Sequence, residues 1–460
     1  MATPIQIATE LANGSSIGVI GGGPSGGFFT YYALDFADRL DLEIEIDIYE
    51  PKNFKKIGSG GCNHCGGIIS ESLVQQMATD GIVLPGSIIQ QGIDSYTMHT
   101  EEGVKVINTP GNMRRIASVF RGCGPRGCLE ISRQGFDDFM LDICKKKGAN
   151  VIHEKVLNLK RADDGIFLET GKLTPRKYDL IIGATGLSEK SFKLFERVCP
   201  TYRPPEVSRT YICEFLMEQK QIDACFGHSM HVFLLDVPKV TFGALIPKRD
   251  YVTMVLLGDD IDKEVVSSFV NAPEVKNCFP IDFPLDKSAP CKCYPFVNVQ
   301  KAIHPFADRI AMIGDASSSK LYKNGIGAAY ITGKAAASTA IFEGIDQKSF
   351  SDFFAPVCRD LDRDNAAGKF IFEATKLIQK SSVLKRGVLG LIGREQMKGR
   401  ENERSLAVGK LSSALWDTFT GSAGYRNILK RFMDPQLIAG LIGSTVYENL
   451  MYVKQQKYGK

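Results

Sequence analysis

Two cysteines stand close together in a glycine-rich loop, in the segment GSGGCNHCGGIIS at residues 58–70. Cys62 and Cys65 enclose two residues, and one of these is His64. Three interpretations fit this spacing: a redox dithiol, a pair of metal ligands, and a flexible loop that is rich in cysteine. The choice depends on what the loop contacts, and therefore on the elements around it.

A second pair of cysteines, Cys123 and Cys128 in GCGPRGC, could complete a four-cysteine site for zinc or an iron–sulfur cluster if the two loops met. We rank a redox or acid cysteine that faces the substrate first, with Cys65 and Cys62 as the catalytic candidates. Structural thiols come second and metal binding third, and we assign no residue as a metal ligand.

The composition sets outer limits on function. The 460-residue chain has room for two or three hydrophobic cores, and its net charge of +4 is too small to indicate nucleic-acid binding. We find no stretch of roughly 18 uninterrupted apolar residues, the length that a membrane-spanning helix needs. Twelve cysteines without a secretory signal favour a reducing compartment, so we expect a cytoplasmic protein.

A nucleotide-binding unit is predicted near the N-terminus, in SSIGVIGGGPSGGFFTYYALDFADRL. Gly21, Gly23 and Gly26 have the GxGxxG spacing between a short apolar strand and a helix, which lets a pyrophosphate approach the helix N-terminus. The next predicted strand, LEIEIDIYE, ends at Glu50. A carboxylate at this place accepts hydrogen bonds from a ribose, so the whole unit predicts a dinucleotide site.

Two later segments indicate which dinucleotide. KYDLIIGATG at 177–186 predicts a strand that ends in a glycine turn, and 307–338 predicts a strand, Gly314-Asp315, a loop and a small-residue helix. Asp315 can bond a ribityl hydroxyl, and the helix can direct its first amides at the pyrimidine edge of a flavin. In this order the segments resemble the FAD-binding signature of the p-hydroxybenzoate-hydroxylase-like flavoproteins. The resemblance implies FAD, with these further cofactor-binding residues: Gly186, Gly314, Asp315, Gly325, Ile326 and Gly327.

A fourth segment, LEISRQGFDDFMLDIC at 129–144, resembles the R-x-x-F-D-x-x-L helix of the same flavoproteins. The resemblance implies that Arg133 lies beside the cofactor and that Asp137 and Leu141 have structural roles. Lys320 and Lys323 lie in the predicted flavin loop. They either add positive charge near flavin N1 or lie at the surface, and both interpretations stay open.

Within this class, KIGSGGCNHCGGIIS is similar to the corresponding loop of the geranylgeranyl reductase family. The matching residues are Cys65, Gly66, Gly67 and Ser70. The resemblance implies reduction of a double bond in a prenyl or lipid-like substrate, by hydride transfer from reduced FAD. Cys65, or a water held near it, would then protonate the second alkene carbon. Cys62 is a departure from the family pattern.

We therefore predict an α/β fold with a discontinuous Rossmann-type FAD-binding domain, an inserted antiparallel substrate domain and a helical C-terminal region. The FAD-binding domain comprises 1–87, 115–200 and 295–345. The substrate domain comprises 88–114 and 201–294. The helical region comprises 346–460.

Three alternatives to the prenyl reductase stay open: an FAD-dependent aromatic monooxygenase, a flavin-coupled CxxC dithiol oxidoreductase, and a non-catalytic flavin-binding partner protein. The electron donor is either transiently bound NAD(P)H or an electron-donor protein, because no second GxGxxG unit is visible. The basic tract 376–410 has two interpretations. It contacts an anionic membrane surface, or it forms a solvated helix pair whose leucines pack on the FAD-binding domain.

Overall fold

The computed structural model describes residues 10–62, 66–109, 115–128, 134–285, 288–401 and 409–458. Its strands form a Rossmann-type sheet, a seven-stranded sheet and three small sheets. The catalytic candidate Cys65 and the predicted cofactor residue Arg133 lie outside the described residues.

The Rossmann-type sheet has six strands in the order β20-β21-β12-β1-β2-β8. All neighbours are parallel except the pair β20–β21. Its central strands are buried on both faces, which explains their nearly continuous apolar sequences. The strands are β1 (Ser15–Ile20), β2 (Ile44–Tyr49), β8 (Asn150–Ile152), β12 (Leu180–Gly183), β20 (Phe306–Ala307) and β21 (Ile310–Met312).

Three helices pack together on one core with this sheet. Gly333 allows the closest approach between two of them, because a Cβ there would lie 3.0 Å from the backbone nitrogen of Phe29. These helices are α1 (Pro24–Arg39), α3 (Phe136–Lys146) and α8 (Gly325–Phe342), and α2 (Glu71–Thr79) and α4 (Glu189–Val198) complete this part of the chain.

The seven-stranded sheet has the order β18-β14-β17-β16-β15-β5-β6. It is antiparallel except for the parallel pair β15–β5. This pair joins the early segment that contains β5 and β6 to the later segment that contains β14 to β18. The strands of this sheet are β5 (Ser95–Thr100), β6 (Gly103–Asn108), β14 (Tyr211–Leu216), β15 (Ser229–Phe233), β16 (Val240–Pro247), β17 (Tyr251–Gly258) and β18 (Cys291–Cys293).

The small sheets occupy the connections. They are β3-β7-β4 (Ile68–Ser70, Ile116–Val119, Ile89–Ile93), β11-β10-β9 (Arg176–Tyr178, Gly165–Thr170, Val156–Ala162) and β13-β19 (Glu206–Arg209, Phe296–Gln300). The helices α5 (Gln219–Cys225), α6 (Lys263–Asn271) and α7 (Pro273–Lys276) follow strands of the seven-stranded sheet and enclose one of its faces.

The C-terminal part is helical, and part of it covers the other face of the seven-stranded sheet. Its helices are α9 (Gln347–Ser349), α10 (Ala355–Gln379), α11 (Ser382–Glu401), α12 (Lys410–Thr420), α13 (Tyr425–Phe432) and α14 (Pro435–Tyr458). The predicted fold class is confirmed, with parallel and antiparallel sheets followed by a helical region.

Helix α11 lies in the basic tract 376–410, and its apolar residues pack on the seven-stranded sheet rather than on the Rossmann-type sheet. Three of its basic side chains form ion pairs with carboxylates: Lys385 with Glu101, Arg386 with Glu102 and Arg394 with Glu448. Within the described ranges, none of the helices combines the length and the hydropathy that crossing a membrane requires.

Candidate active site

The glycine turn after β1 has the geometry that a pyrophosphate needs. Gly21 has a φ of +109°, and a Cβ at Gly26 would lie 1.9 Å from the carbonyl oxygen of Gly21. Only glycine fits at both places. Gly23 precedes the first residue of α1, which has no side-chain cap and starts with Pro24. The first amides of this helix are therefore available to an anion.

Glu50 lies directly after β2 and is buried. Its Oε2 accepts a hydrogen bond from the Gly22 amide at 2.9 Å, and its Oε1 accepts one from the Lys52 amide at 2.9 Å. Burial raises the pKa of Glu50, and the two amides oppose that rise. A carboxylate offers about four lone-pair positions, so both oxygens can still accept from ribose hydroxyls.

The turn after β12 lies against the first glycine turn. A Cβ at Gly21 would be 2.3 Å from the carbonyl oxygen of Ala184. The adjacent Thr185 has a buried Oγ1 with no hydrogen-bond partner among the described residues. Gly186 has a φ of +57° and open space where its Cβ would be. An orphaned hydroxyl beside an open position is what a missing polar ligand leaves behind.

Gly314 and Asp315 follow β21 and reach the same end of the sheet. A Cβ at Gly314 would lie 1.9 Å from the Oγ of Ser25 at the start of α1, and its φ is +61°. Burial raises the pKa of the Asp315 carboxyl, opposed by a hydrogen bond from Ser319 and by the charge of Arg121. Asp315 is thus placed close to the glycine turn.

Helix α8 begins at Gly325, after the loop that follows Asp315. Asn324 is in the left-handed conformation with a φ of +54°, and its Oδ1 accepts a hydrogen bond from the Gly327 amide at 3.0 Å. Gly325 is exposed with open space at its Cβ position, whereas Ile326 is buried. The exposed start of this helix can present amides to a negatively charged edge of a ligand.

Sequence reasoning missed Arg121, which lies one residue before the second cysteine loop. Its Nε donates to both carboxylate oxygens of the fully buried Asp137, and its Nη2 donates to Oδ2 at 2.8 Å. The charge of Arg121 also acts on Asp315. Its only signal in the sequence is its place in FRGCGPRGC, where the two cysteines are the more conspicuous feature.

The two cysteine-bearing loops meet. The Gly58 amide donates to the carbonyl oxygen of Gly124 at 2.9 Å. A Cβ at Gly122 would lie 2.0 Å from the carbonyl oxygen of Gly61 and 3.4 Å from the Cα of Cys62. The condition for the four-cysteine interpretation is therefore met at the level of the backbone, although Cys65 lies outside the described residues.

Cys62 lines a cavity of about 230 Å³ between the cysteine loops and the seven-stranded sheet. The opposite wall is formed by β14 and β18, where Cys291 and Cys293 are two residues apart and so lie on one face. Lys52 donates from its Nζ to the carbonyl oxygen of Cys62 at 2.8 Å. With Cys213 on β14, the cavity is thus lined by cysteines from three distant parts of the chain.

A buried ion pair adjoins the cavity. Glu214 on β14 lines it, and its Oε1 lies 3.4 Å from the Nζ of Lys248, which is fully buried. Thr253 donates to Oε2 of Glu214 at 2.5 Å. A Cβ at Gly67, in the cysteine loop, would lie 3.5 Å from the Lys248 Nζ. The lysine of this ion pair therefore lies beside Gly67, which follows the CxxC segment.

Lys323 does not lie at the surface. Its Nζ is buried without a hydrogen-bond partner among the described residues, and it lies 5.1–5.4 Å from three ring centroids, those of Phe242, Phe372 and Phe419. Burial lowers its pKa well below the ordinary lysine value. Burial also lowers the pKa of Lys320, opposed by the charge of Asp364.

The groups at this end of the Rossmann-type sheet suit the successive parts of a flavin dinucleotide. The glycine turn and the start of α1 suit the pyrophosphate, and Glu50 suits the adenosine ribose. Asp315 suits the ribityl chain, and the start of α8 suits the flavin ring. The orphaned Thr185 hydroxyl lies beside these groups, between the first glycine turn and Gly186.

Comparison with solved structures gives the same fold. A geranylgeranyl bacteriochlorophyll reductase-like protein from Thermoplasma acidophilum has a TM-score of 0.64 at 14% identity, covering 92% of this chain and 99% of that protein. A halogenase, PltM, in complex with FAD has a TM-score of 0.59 at 13% identity, covering 97% and 96%.

This chain has the fold of the FAD-dependent oxidoreductases. A flavoprotein/dehydrogenase from Cytophaga hutchinsonii is also similar, with a TM-score of 0.59 at 13% identity over 95% of this chain and 100% of that one. No protein-family model matches the sequence, and no curated protein does. The predicted resemblance to the geranylgeranyl-reductase-like flavoproteins is thus confirmed at the level of fold.

Proposed function

We propose that this protein is an FAD-dependent oxidoreductase that reduces a double bond in a hydrophobic, prenyl or lipid-like substrate. The observation that carries the proposal is a series of groups at one end of the Rossmann-type sheet, each of which suits one part of FAD. It leads from the Gly21 turn through Glu50 and Asp315 to the start of α8, and the cysteine loop lies beside it. When bound, FAD supplies two-electron reducing power.

Residues of the chain itself supply the remaining steps. Arg121 fixes Asp137 and places positive charge beside Asp315, which keeps the cofactor-facing side of the site polar. Ile212 and Phe120 give the cavity apolar surface for the reacting end of the substrate. A thiol of the CxxC loop donates the proton that completes saturation of the alkene, as either Cys62 or Cys65.

The size of the cavity limits what it holds. Usual ligand pockets enclose about 300–1,000 Å³, and this cavity has about 230 Å³. It therefore accommodates the reacting end of a chain rather than an entire prenyl substrate. The rest of such a substrate would extend out of the protein.

A second candidate function is supported by the cysteines in the cavity. Cys62 shares it with Cys291 and Cys293, so a disulfide formed by the CxxC loop would be within reach of further thiols. A flavin-coupled dithiol oxidoreductase would use exchange among these thiols to pass two electrons to or from the cofactor. This candidate predicts extra reducing equivalents per cofactor, which alkene reduction by an acid cysteine does not.

A substrate of this kind would be taken from a membrane, and we propose a peripheral contact with an anionic membrane surface. The support comes from α14 rather than from the tract 376–410, because Arg386 and Arg394 in that tract already pair with carboxylates of the protein. Ile442, Val446, Leu450 and Val453 are spaced along one face of α14 and are more than half exposed. Lys454 and Lys457 follow on the same helix, complementary to anionic lipids.

The test of the reductase is a single-turnover experiment on the full chain. FAD-loaded protein is reduced anaerobically and mixed with a geranylgeranylated lipid, and reoxidation is followed by the visible absorbance of the flavin. We expect reoxidation that depends on lipid concentration, with one double bond saturated per cofactor by mass spectrometry. Reoxidation by a disulfide but not by the lipid would favour the dithiol function. Reoxidation only with oxygen and an aromatic compound would contradict both and indicate a monooxygenase.

A further inference from the structure

A second cluster of reactive side chains lies away from the cysteine loops. His99 on β5 and His231 on β15 are diagonal neighbours on adjacent parallel strands, since His99 pairs with Phe233 and His231 with Thr97. Cys278 follows α7 and approaches both rings. All three side chains are buried, and the strands β16 and β17 separate β15 from the cavity wall at β14. Across the sheet, β15 is thus three strand spacings, about 14 Å, from β14.

The three ligand atoms form a small closed triangle. His99 Nε2 lies 3.1 Å from His231 Nδ1, His231 Nδ1 lies 3.3 Å from Cys278 Sγ, and Cys278 Sγ lies 3.7 Å from His99 Nε2. A tetrahedral zinc ion places two nitrogen ligands about 3.3 Å apart, and a nitrogen and a sulfur about 3.6 Å apart. Each edge of the triangle matches these separations to within about 0.3 Å.

Hydrogen bonds alone do not account for three close approaches. A neutral imidazole has one donor and one acceptor nitrogen, and a thiol has one hydrogen. Within the described residues, the only further hydrogen bond of the three side chains runs from Cys278 Sγ to the Glu274 carbonyl oxygen. With the thiol hydrogen donated there, at least one edge of the triangle brings two lone pairs or two hydrogens together, whichever tautomers the two rings adopt. A cation at the centre would satisfy all three lone pairs at once.

The surroundings suit a closed structural site. The rings of Phe226 and Phe233 lie against the two imidazoles, at centroid distances of 4.8 Å from His231 and 4.7 Å from His99. Both imidazoles are buried, and their facing nitrogens point at each other and at the Cys278 sulfur.

We propose that His99, His231 and Cys278 bind one divalent transition-metal ion, with Zn²⁺ as the preferred ion for this donor set. Binding replaces the thiol proton of Cys278, which is released to solvent, and changes no oxidation state. Such an ion joins two strands of the seven-stranded sheet to the segment after α7.

This site departs from the sequence prediction, which assigned no metal ligand. The reason is separation along the chain, because His99 lies 132 residues from His231 and Cys278 lies 47 residues beyond it. None of these separations belongs to the short spacings by which zinc sites are found in sequences. Only the parallel pairing of β5 with β15 brings the ligands together.

The test is metal loading of the full chain, purified without a polyhistidine tag. The protein is incubated with Zn²⁺ or Co²⁺ alone and dialysed, and the bound metal is then counted by mass spectrometry. We expect about one ion per chain, with thiolate–cobalt absorbance in the cobalt form. Cys278→Ser should lower the bound metal to below about a tenth and remove that absorbance. Cys199→Ser, which replaces another buried thiol, and Cys62→Ser should both keep the ion.

Two further outcomes keep the test decisive. Cys278→His, which offers a nitrogen in place of the sulfur, should keep the ion and lose the thiolate absorbance even if Cys278→Ser folds poorly. The proposal is overturned if the wild-type protein retains no ion after dialysis. It is equally overturned if Cys62→Ser loses the ion while Cys278→Ser keeps it, which would place the metal at the cysteine loops.

Discussion

Arg121 donates hydrogen bonds to both carboxylate oxygens of Asp137, at 3.0 and 3.1 Å from Nε and at 2.8 Å from Nη2. Asp137 lies in the first turn of α3, and Arg121 lies in the strand-to-loop connection that leads to the second cysteine loop. The pair therefore ties the helix of the Rossmann-type core to the loop that lines the cavity. We expect this ion pair to couple FAD binding to the position of the second cysteine loop.

Replacing Arg121 by lysine tests the role of this ion pair. Lysine keeps the charge but cannot form the forked contact, so the loop loses its fixed position. We expect Arg121→Lys to weaken FAD binding by about tenfold. The measurement is a fluorescence titration of the apoprotein with FAD. Arg39→Lys, at an exposed ion pair on α1, is the matched control and should bind FAD like the wild type. Equal affinity in all three proteins would remove Arg121 from the site.

The second prediction concerns the close approach of Gly26 to Gly21. A methyl group at Gly26 would lie 1.9 Å from the Gly21 carbonyl oxygen, so Gly26→Ala must displace the turn that receives the pyrophosphate. We expect FAD affinity to fall by at least about a hundredfold. Gly86→Ala is the control, because open space surrounds its Cβ position. Retention of FAD by Gly26→Ala, measured as flavin per chain after gel filtration, would place the cofactor elsewhere.

The third prediction uses the buried amine of Lys323. Its folded pKa is lowered, so between that value and about 10.4 the unfolded chain carries a proton that the folded chain lacks. Stability must then rise with pH through this window. Lys323→Met removes the rise and should stabilise the protein at pH 7 by about 1–2 kcal/mol.

The measurement for Lys323 is chemical denaturation at pH 7, 8 and 9, with Lys348→Met as the control. Lys348 is exposed and should leave the pH dependence unchanged. A lower stability of Lys323→Met at pH 7 would contradict the lowered pKa, because it would mean that the three phenylalanine rings hold a stabilised ammonium ion.

The fourth prediction separates the roles of the CxxC loop. Anaerobic dithionite titration of FAD-loaded wild type should take about two electrons per FAD if the cysteines act as acids, and about four if they form a flavin-coupled disulfide. Cys62→Ser and Cys65→Ser should take about two electrons in either case. An uptake of about four electrons by either serine variant would assign the extra electrons to other groups, such as Cys291 and Cys293.

The fifth prediction places membrane contact on α14. Replacing Leu450 and Val453 together by serine should weaken binding to vesicles by at least about tenfold. The measurement is co-sedimentation with phosphatidylcholine vesicles that contain about 30% phosphatidylserine. Val83→Ser, at another exposed apolar residue, is the control. Unchanged binding of the double variant would remove α14 from the contact.

Local patterns in the sequence were enough to predict the fold class and the position of the first glycine turn. The turn depends on glycines within six residues, and Glu50 follows at the end of the next strand. By contrast, Arg121 is fixed by a partner 16 residues away, and His99 by a partner 132 residues away. Those contacts depend on how loops and parallel strands meet, which residue spacing does not encode. Lys323 could not be assigned for the same reason, since its three aromatic neighbours come from β16, α10 and α12.

The most direct test of the proposed cofactor site is the flavin content and reduction of the wild-type chain. The purified protein is saturated with FAD, passed through gel filtration and titrated anaerobically while its visible absorbance is recorded. We expect about one tightly held FAD per chain, which is fully and reversibly reduced. A protein that is folded by circular dichroism but leaves the column without flavin, at any FAD concentration used for loading, would contradict the proposal.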